Sequence, residues 1–144
     1  MTDLHDDIAR RLRGARQRYT PARRQLVEVL SDGGGPRTIP ELLDRAAAGS
    51  QSSLYRNLAV LEQADVVRRL QGAGDVSRFE LAEDVTGHHH HHLVCLSCGA
   101  IDDFELPADA EQALDDAVAA AVTDAGFATD HHRFDLLGTC HRCA

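Results

Sequence analysis

Up to Ala64 the apolar residues of this chain recur at helical spacing; beyond it, short strand-like runs take over, interrupted by one alanine-rich helix. Ile8, Leu12 and Ala15 predict a first helix from Asp6 to about Arg16. Thr20 as N-cap and Pro21 at the first helical position open a second, whose buried stripe is Leu26, Val27 and Leu30. The run Ser31-Asp32-Gly33-Gly34-Gly35-Pro36 stops it. Thr38-Ile39-Pro40-Glu41 is a capping-box signature for a third helix, with Leu42, Leu43 and Ala46 facing inward and Gly49 as the stop. A fourth runs from Gln51 to about Ala64 on Leu54, Leu58 and Leu61. Val66–Gln71 and Val76–Leu81 then flank Gly72-Ala73-Gly74-Asp75, a hairpin signal.

Helices closed by a hairpin predict a winged helix-turn-helix over residues 1–82, with the fourth helix entering a DNA major groove. On that helix Arg56 suits guanine or phosphate and Asn57 suits adenine, while Gln51, Ser53 and Tyr55 suit phosphates. Residues 83–87 read as a hinge, and 88–144 as a small α/β domain. Its expected strands are His92–Cys95, Ala100–Phe104 and Ala128–Leu137, with a helix over Pro107–Ala125. The whole is an α+β chain. A unit this small does not cover its own faces, so a homodimer is expected, as two-fold DNA sites also require.

Charge sharpens the division. The net charge of −8 is a balance of +2 over residues 1–81 and −10 over residues 82–144. A mildly basic first half and a strongly acidic second half suit different partners. No apolar run is long enough to span a bilayer and the N-terminus is too charged for a secretory signal, so a soluble, cytoplasmic protein without a membrane partner is expected.

The candidate chemistry lies in His88-His89-His90-His91-His92-Leu93-Val94-Cys95-Leu96-Ser97-Cys98. Imidazole and thiolate are the ligands of zinc and other late first-row divalent metals. Cys95, Cys98, Cys140 and Cys143 form two Cys-x-x-Cys pairs separated by 41 residues. In a reducing compartment such pairs mark a tetrahedral structural zinc rather than disulfides. If the histidines continue a strand, His90 and His92 face one side and His89 and His91 the other. One run then feeds two separate sites.

These residues resemble the ferric uptake regulator family of metal-dependent repressors over nearly the whole chain. The resemblance rests on Thr20-Pro21-Ala22-Arg23, Leu54-Tyr55-Arg56-Asn57-Leu58 and Phe79-Glu80-Leu81, on the histidine run into Cys95-Leu96-Ser97-Cys98-Gly99, and on His132, Gly138 and Cys140-His141-Arg142-Cys143. It implies a homodimer bound to a palindromic operator, repressing metal-homeostasis genes when a regulatory zinc or iron ion is bound at the hinge. The implied sites are a four-cysteine zinc at Cys95, Cys98, Cys140 and Cys143, and a regulatory site at Glu80, His90, His92 and Asp103. A third is implied at His89, His91, His132 and an acid of the long helix, Glu111, Asp115 or Asp116, with Glu111 and Asp115 preferred. Tyr19, Thr20 and Arg23 join the candidate DNA-binding residues.

Two positions depart from the family pattern. Arg37 stands where a histidine ligand is common, and Ala82 where the zinc-sensing branch often has cysteine. The peroxide-sensing branch has Asp where this chain has Glu80. Rival readings are a peroxide-responsive regulator, a zinc enzyme using His89, His91 and His132, and a metal store.

Overall fold

The structure is a computed structural model and describes residues 3–46 and 49–144. The first half holds α1 (Leu4–Gly14), α2 (Pro21–Leu30), β1 (Arg37–Thr38), α3 (Ile39–Arg45), α4 (Gln51–Gln63), β2 (Val67–Gln71) and β3 (Ser77–Leu81). After the single-turn α5 (Glu83–Thr86) come β4 (His91–Cys95), β5 (Ile101–Phe104), α6 (Ala108–Thr123) and β6 (Asp135–Gly138). The chain is α+β, a winged helix followed by a small three-stranded sheet with one helix.

Local chemistry sets the helix starts. Thr20 caps α2 through the Arg23 amide, with Pro21 at its first position. The Thr38 box closes both ways: the Glu41 carboxylate accepts from the Thr38 amide at 2.8 Å, and the Thr38 hydroxyl accepts from the Glu41 amide at 3.4 Å. Helix α3 ends at Arg45, with Ala46 extended. The expected run to Gly49 crosses residues 47–48, which lie outside the described residues. Ile8, Leu12, Leu26, Leu42, Leu54, Leu61 and Phe79 are fully buried in one core.

Three elements differ from the sequence expectation. β1 is new: Arg37 and Thr38 pair antiparallel with Phe79 and Arg78, giving a wing of order β1–β3–β2. A capping threonine has extended backbone in any case, so it can close a helix and end a strand at once. The hinge is also ordered. Glu83–Thr86 form a helical turn ended by Gly87 at φ +72°. It is tied to the winged helix by Arg11, which donates to Asp84 Oδ2 at 2.9 Å and to the Asp65 carbonyl at 3.1 Å.

The last strand is far shorter than Ala128–Leu137. β6 pairs parallel with β4 from His92 to Cys95 only, because β4 itself begins at His91 and leaves residues 128–134 no ladder to join. The second sheet has order β5–β4–β6. The wing packs on it through Leu70, Ala73, Val94 and Ile101. Arg78 Nε donates to the Gly99 carbonyl at 3.2 Å, and a Cβ at Gly99 would lie 2.7 Å from the Ala73 carbonyl oxygen. Leu93, Leu136, Leu137 and Phe127 are exposed, and α6 buries no residue.

Candidate metal centres and nucleic-acid interface

Three ligand clusters assemble, each with donor atoms within 4.8 Å of one another. Parallel pairing of Cys95 with Gly138 brings the chain end beside the first knuckle. Both knuckles are tight turns, closed by the Gly99 amide on the Cys95 carbonyl and the Cys143 amide on the Cys140 carbonyl, each at 2.9 Å. All four cysteines are free thiols, and Cys98 Sγ lies 3.8 Å from Cys140 Sγ. Four thiolates at ~2.3 Å from a tetrahedral zinc sit ~3.8 Å apart, so the spacing fits that ion. Backbone N–H groups of Cys140 and Cys98 hold the Cys95 thiol down at about 6. Its neighbours push Cys143 up to about 12, first through the hydrogen bond with Cys140.

The second cluster spans the hinge. Glu80 comes from the wing strand β3; His90 and His92 come from the histidine run and Asp103 from β5. His90 Nε2 and His92 Nε2 reach Glu80 Oε2 at 2.9 and 3.1 Å, and Asp103 Oδ1 lies 3.9 and 3.8 Å from the same two nitrogens. Glu80 is 6% exposed, and its Oε1 is buried without a hydrogen-bond partner. Burial alone pushes the Glu80 carboxyl up, but the two imidazoles overcome this and hold it at about 2. The hydrogen bond that Glu80 accepts from His90 in turn raises His90 to about 9 against the opposing effect of burial. Burial raises Asp103. An orphaned carboxylate oxygen among two imidazoles and a second acid fits a divalent cation. A cleft of about 740 Å³ between α1 and the hinge opens beside Glu80, His90 and Asp103 and gives such an ion a path.

The third cluster is His89, His91, Glu111 and His132. His89 Nε2 faces His132 Nε2 at 3.1 Å, Glu111 Oε1 lies 2.8 Å from His132 Nε2, and Glu111 Oε2 lies 2.9 Å from His91 Nε2. Three imidazole nitrogens brought together, with a carboxylate beside them, fit a cation as well. Glu111 is thus the helix acid in the cluster. Asp115, preferred equally with it from sequence, stands behind His132, 2.9 Å from Nδ1, one helical turn too far along to reach the centre. Asp116 accepts from Gln112 instead. His88 lies outside all three clusters.

In both histidine clusters the imidazoles aim Nε2 inward, and most turn Nδ1 to an acid. His92 Nδ1 meets Asp135 at 3.3 Å, and His89 Nδ1 meets Glu83 at 2.9 Å. Such outer carboxylates fix the ring tautomer. Sequence reading missed Asp135 and Glu83. The only signal for Glu83 was an acid just ahead of the histidine run, in a stretch read as a plain hinge.

The candidate DNA face is α4. Gln51, Tyr55 and Arg56 are exposed. The other five candidates all have partners within the chain. Asn57 Oδ1 accepts from Arg23 Nε at 3.1 Å, clamping α4 to α2, and the Ser53 hydroxyl accepts from the Ser50 hydroxyl at 3.1 Å. Tyr19 OH pairs with His5 Nδ1 at 2.7 Å, and Thr20 caps α2. This divides their expected effects. Arg56→Ala should weaken DNA binding by about 10- to 100-fold with unchanged melting. Asn57→Ala should lower stability by ~1 kcal/mol through the lost clamp. Thermal melting and fluorescence anisotropy on the two variants separate the roles; equal melting losses would contradict the division.

Residues 15–137 match the Ferric uptake regulator family. The chain belongs to that family. It is 31% identical over 148 residues to the ferric uptake regulation protein of Bacillus subtilis, covering 99% of this chain and 96% of that protein. It is 32% identical over 147 residues to the peroxide-responsive repressor PerR of Staphylococcus epidermidis, covering 98% and 90%. The Helicobacter pylori ferric uptake regulator Fur, whose structure reveals three functional metal binding sites, matches with a TM-score of 0.72 at 25% identity, over 99% of this chain and 94% of that one. A ferric uptake regulator family member is a transcriptional regulator, which sets aside the zinc-enzyme reading of His89, His91 and His132. Among the described residues no helix is long and apolar enough to cross a membrane.

Within this family member Arg37 has its own use. It is 6% exposed, and its Nη2 donates to both oxygens of Asp32 at 2.5 and 2.7 Å. The loop before α3 therefore supplies an ion pair between a buried guanidinium and a half-exposed acid rather than a ligand. Asp32→Ala leaves that guanidinium without its acid and should lower stability by ~1–3 kcal/mol, less than for a fully buried pair because Asp32 is half-exposed. Urea unfolding checks this, and an unchanged midpoint would contradict it. Ala82 caps α5 and offers no ligand.

Proposed function

We propose that this family member is a metal-responsive repressor of metal-homeostasis genes that reads zinc or iron through Glu80, His90, His92 and Asp103. The observation that carries this reading is that one cluster takes its donors from both sides of the hinge. A divalent ion there supplies a cationic centre that all four donors share. Glu80 fixes the wing strand β3, while His92 and Asp103 belong to the second sheet and His90 immediately precedes its strand β4, so joining them sets the angle of residues 1–82 on residues 88–144. Binding biases that angle only if the closed arrangement is the tighter one. Glu80, where the peroxide-sensing branch has Asp, supports metal rather than peroxide sensing.

In this reading Cys95, Cys98, Cys140 and Cys143 hold a structural zinc, in a cytoplasmic setting that keeps them reduced. His89, His91, Glu111 and His132 hold a third ion that fastens α6, which buries no residue of its own, to the sheet. The exposed Leu93, Leu136 and Leu137 become the face of a homodimer. Paired copies set two α4 helices at successive half-sites of a palindromic operator, where Gln51, Tyr55 and Arg56 meet DNA.

Elemental analysis tests the ligand assignment. One ion per cluster is expected at saturation, three per chain, with one retained after mild chelation. Saturation at a single ion would overturn the hinge assignment.

A further inference from the structure

We infer that Glu83 of the hinge helix couples the two histidine clusters, acting as the shared outer carboxylate of one histidine from each. The inference rests on the metal-sensing reading and deepens it. The geometry is specific. His89 directs Nε2 into the third cluster and Nδ1 onto Glu83 Oε2 at 2.9 Å. His90 directs Nε2 onto Glu80 and leaves Nδ1 4.0 Å from the other oxygen, Glu83 Oε1, which also accepts from the His90 amide at 3.5 Å. The two oxygens of one carboxylate thus face the outer sides of two consecutive histidines that serve different sites.

The placement follows from the chain. Consecutive residues on an extended backbone point to opposite faces, so His89 and His90 diverge toward different clusters. Glu83 opens a single helical turn that Gly87 closes, and this folds the acid back over the start of the histidine run. Arg11 holds the same turn through Asp84, so Glu83 stands on a supported element.

The consequence is energetic. An outer carboxylate that accepts the hydrogen bond from Nδ1–H fixes a histidine in the tautomer whose Nε2 lone pair is free, and losing it costs about 10- to 100-fold in metal affinity. Here one side chain does this for one ring and faces the next. An ion at the third cluster fixes His89, and His89 fixes Glu83. The ordered Glu83 then presents Oε1 to His90 before any ion reaches the hinge. Ordering that side chain once serves both sites, which makes binding positively cooperative by about 10-fold, in the usual range of coupling between sites. The third cluster thereby tunes the threshold of the hinge sensor.

Cobalt(II) titration of the zinc-containing protein, followed by its visible absorption, tests this with His132→Ala, Glu83→Gln, Glu83→Ala and the double variants. His132→Ala removes a ligand of the third cluster only and is expected to weaken the hinge site about 10-fold. Combined with Glu83→Ala or the isosteric Glu83→Gln, whose amide nitrogen cannot accept from a second imidazole, that dependence is expected to vanish. Nitrogen NMR of the imidazoles is expected to show His89 losing its fixed Nδ1–H tautomer in Glu83→Ala. If the Glu83 variants keep both affinities and the His132 effect within about twofold, against the larger effect of losing an outer carboxylate, the coupling is refuted while the sensor reading stands. If the wild-type protein takes up no cobalt at either histidine cluster, the sensor reading itself falls, and this inference with it.

Discussion

Replacing Cys140 and Cys143 together by serine is expected to unfold the C-terminal sheet and leave the chain monomeric. The second sheet has little else to hold it. β6 is exposed along its whole length, α6 buries nothing, and the apolar cluster at the sheet is Leu70, Val94 and Ile101 with Ala73. Two of those four belong to the wing. Four thiolates around one zinc in small metal-stabilised domains are worth ~10–16 kcal/mol of apparent binding energy, as much as the whole stability of an ordinary domain. Losing the second knuckle frees β6 from Cys95, and with it the face offered to a second copy. The winged helix has its own core and should survive. Circular dichroism and sedimentation read both effects. A dimer with unchanged melting would show that the cysteines are dispensable to the fold.

Glu80→Gln is expected to abolish metal-dependent DNA binding, about 100-fold in affinity at saturating metal, while leaving weak metal-free binding unchanged. Glu80 is the one donor of the hinge cluster that comes from the wing. The substitution keeps the shape and removes the charge that His90 and His92 are arranged around. Both histidines stay with the second sheet, His92 in β4 and His90 just before it, so an ion held by them alone cannot pull on β3. Removing any other ligand weakens the site; removing this one disconnects it. Anisotropy titrations with and without metal read the difference. A variant that keeps the wild-type metal response would place the switch elsewhere.

The sequence made the winged helix legible because its signals are local. Thr20-Pro21, the Thr38–Glu41 box and the leucine spacing of α4 each act within one or two turns. The split of the histidine run was legible too, since alternation on an extended chain needs no tertiary knowledge. What stayed hidden depends on packing between distant segments. Asp115 and Glu111 share a helix face one turn apart, and only the position of α6 over β4 puts Glu111 at the centre and Asp115 on the back of His132. Asn57 reads as a base-contacting residue until Arg23, 34 residues earlier, is seen to take its carbonyl. Glu83 had no motif at all, because its role comes from a single turn of helix folding the hinge back onto the histidines.

The hinge cluster is expected to govern DNA binding. The most direct measurement is the affinity of the zinc-containing dimer for a fragment of its own promoter region, stripped of exchangeable metal and then given zinc, iron(II), manganese or nickel separately. The expected result is weak binding when stripped, and tight binding restored by zinc or iron(II). Equally tight binding before and after stripping would contradict it, and would make this a regulator that metals stabilise but do not switch.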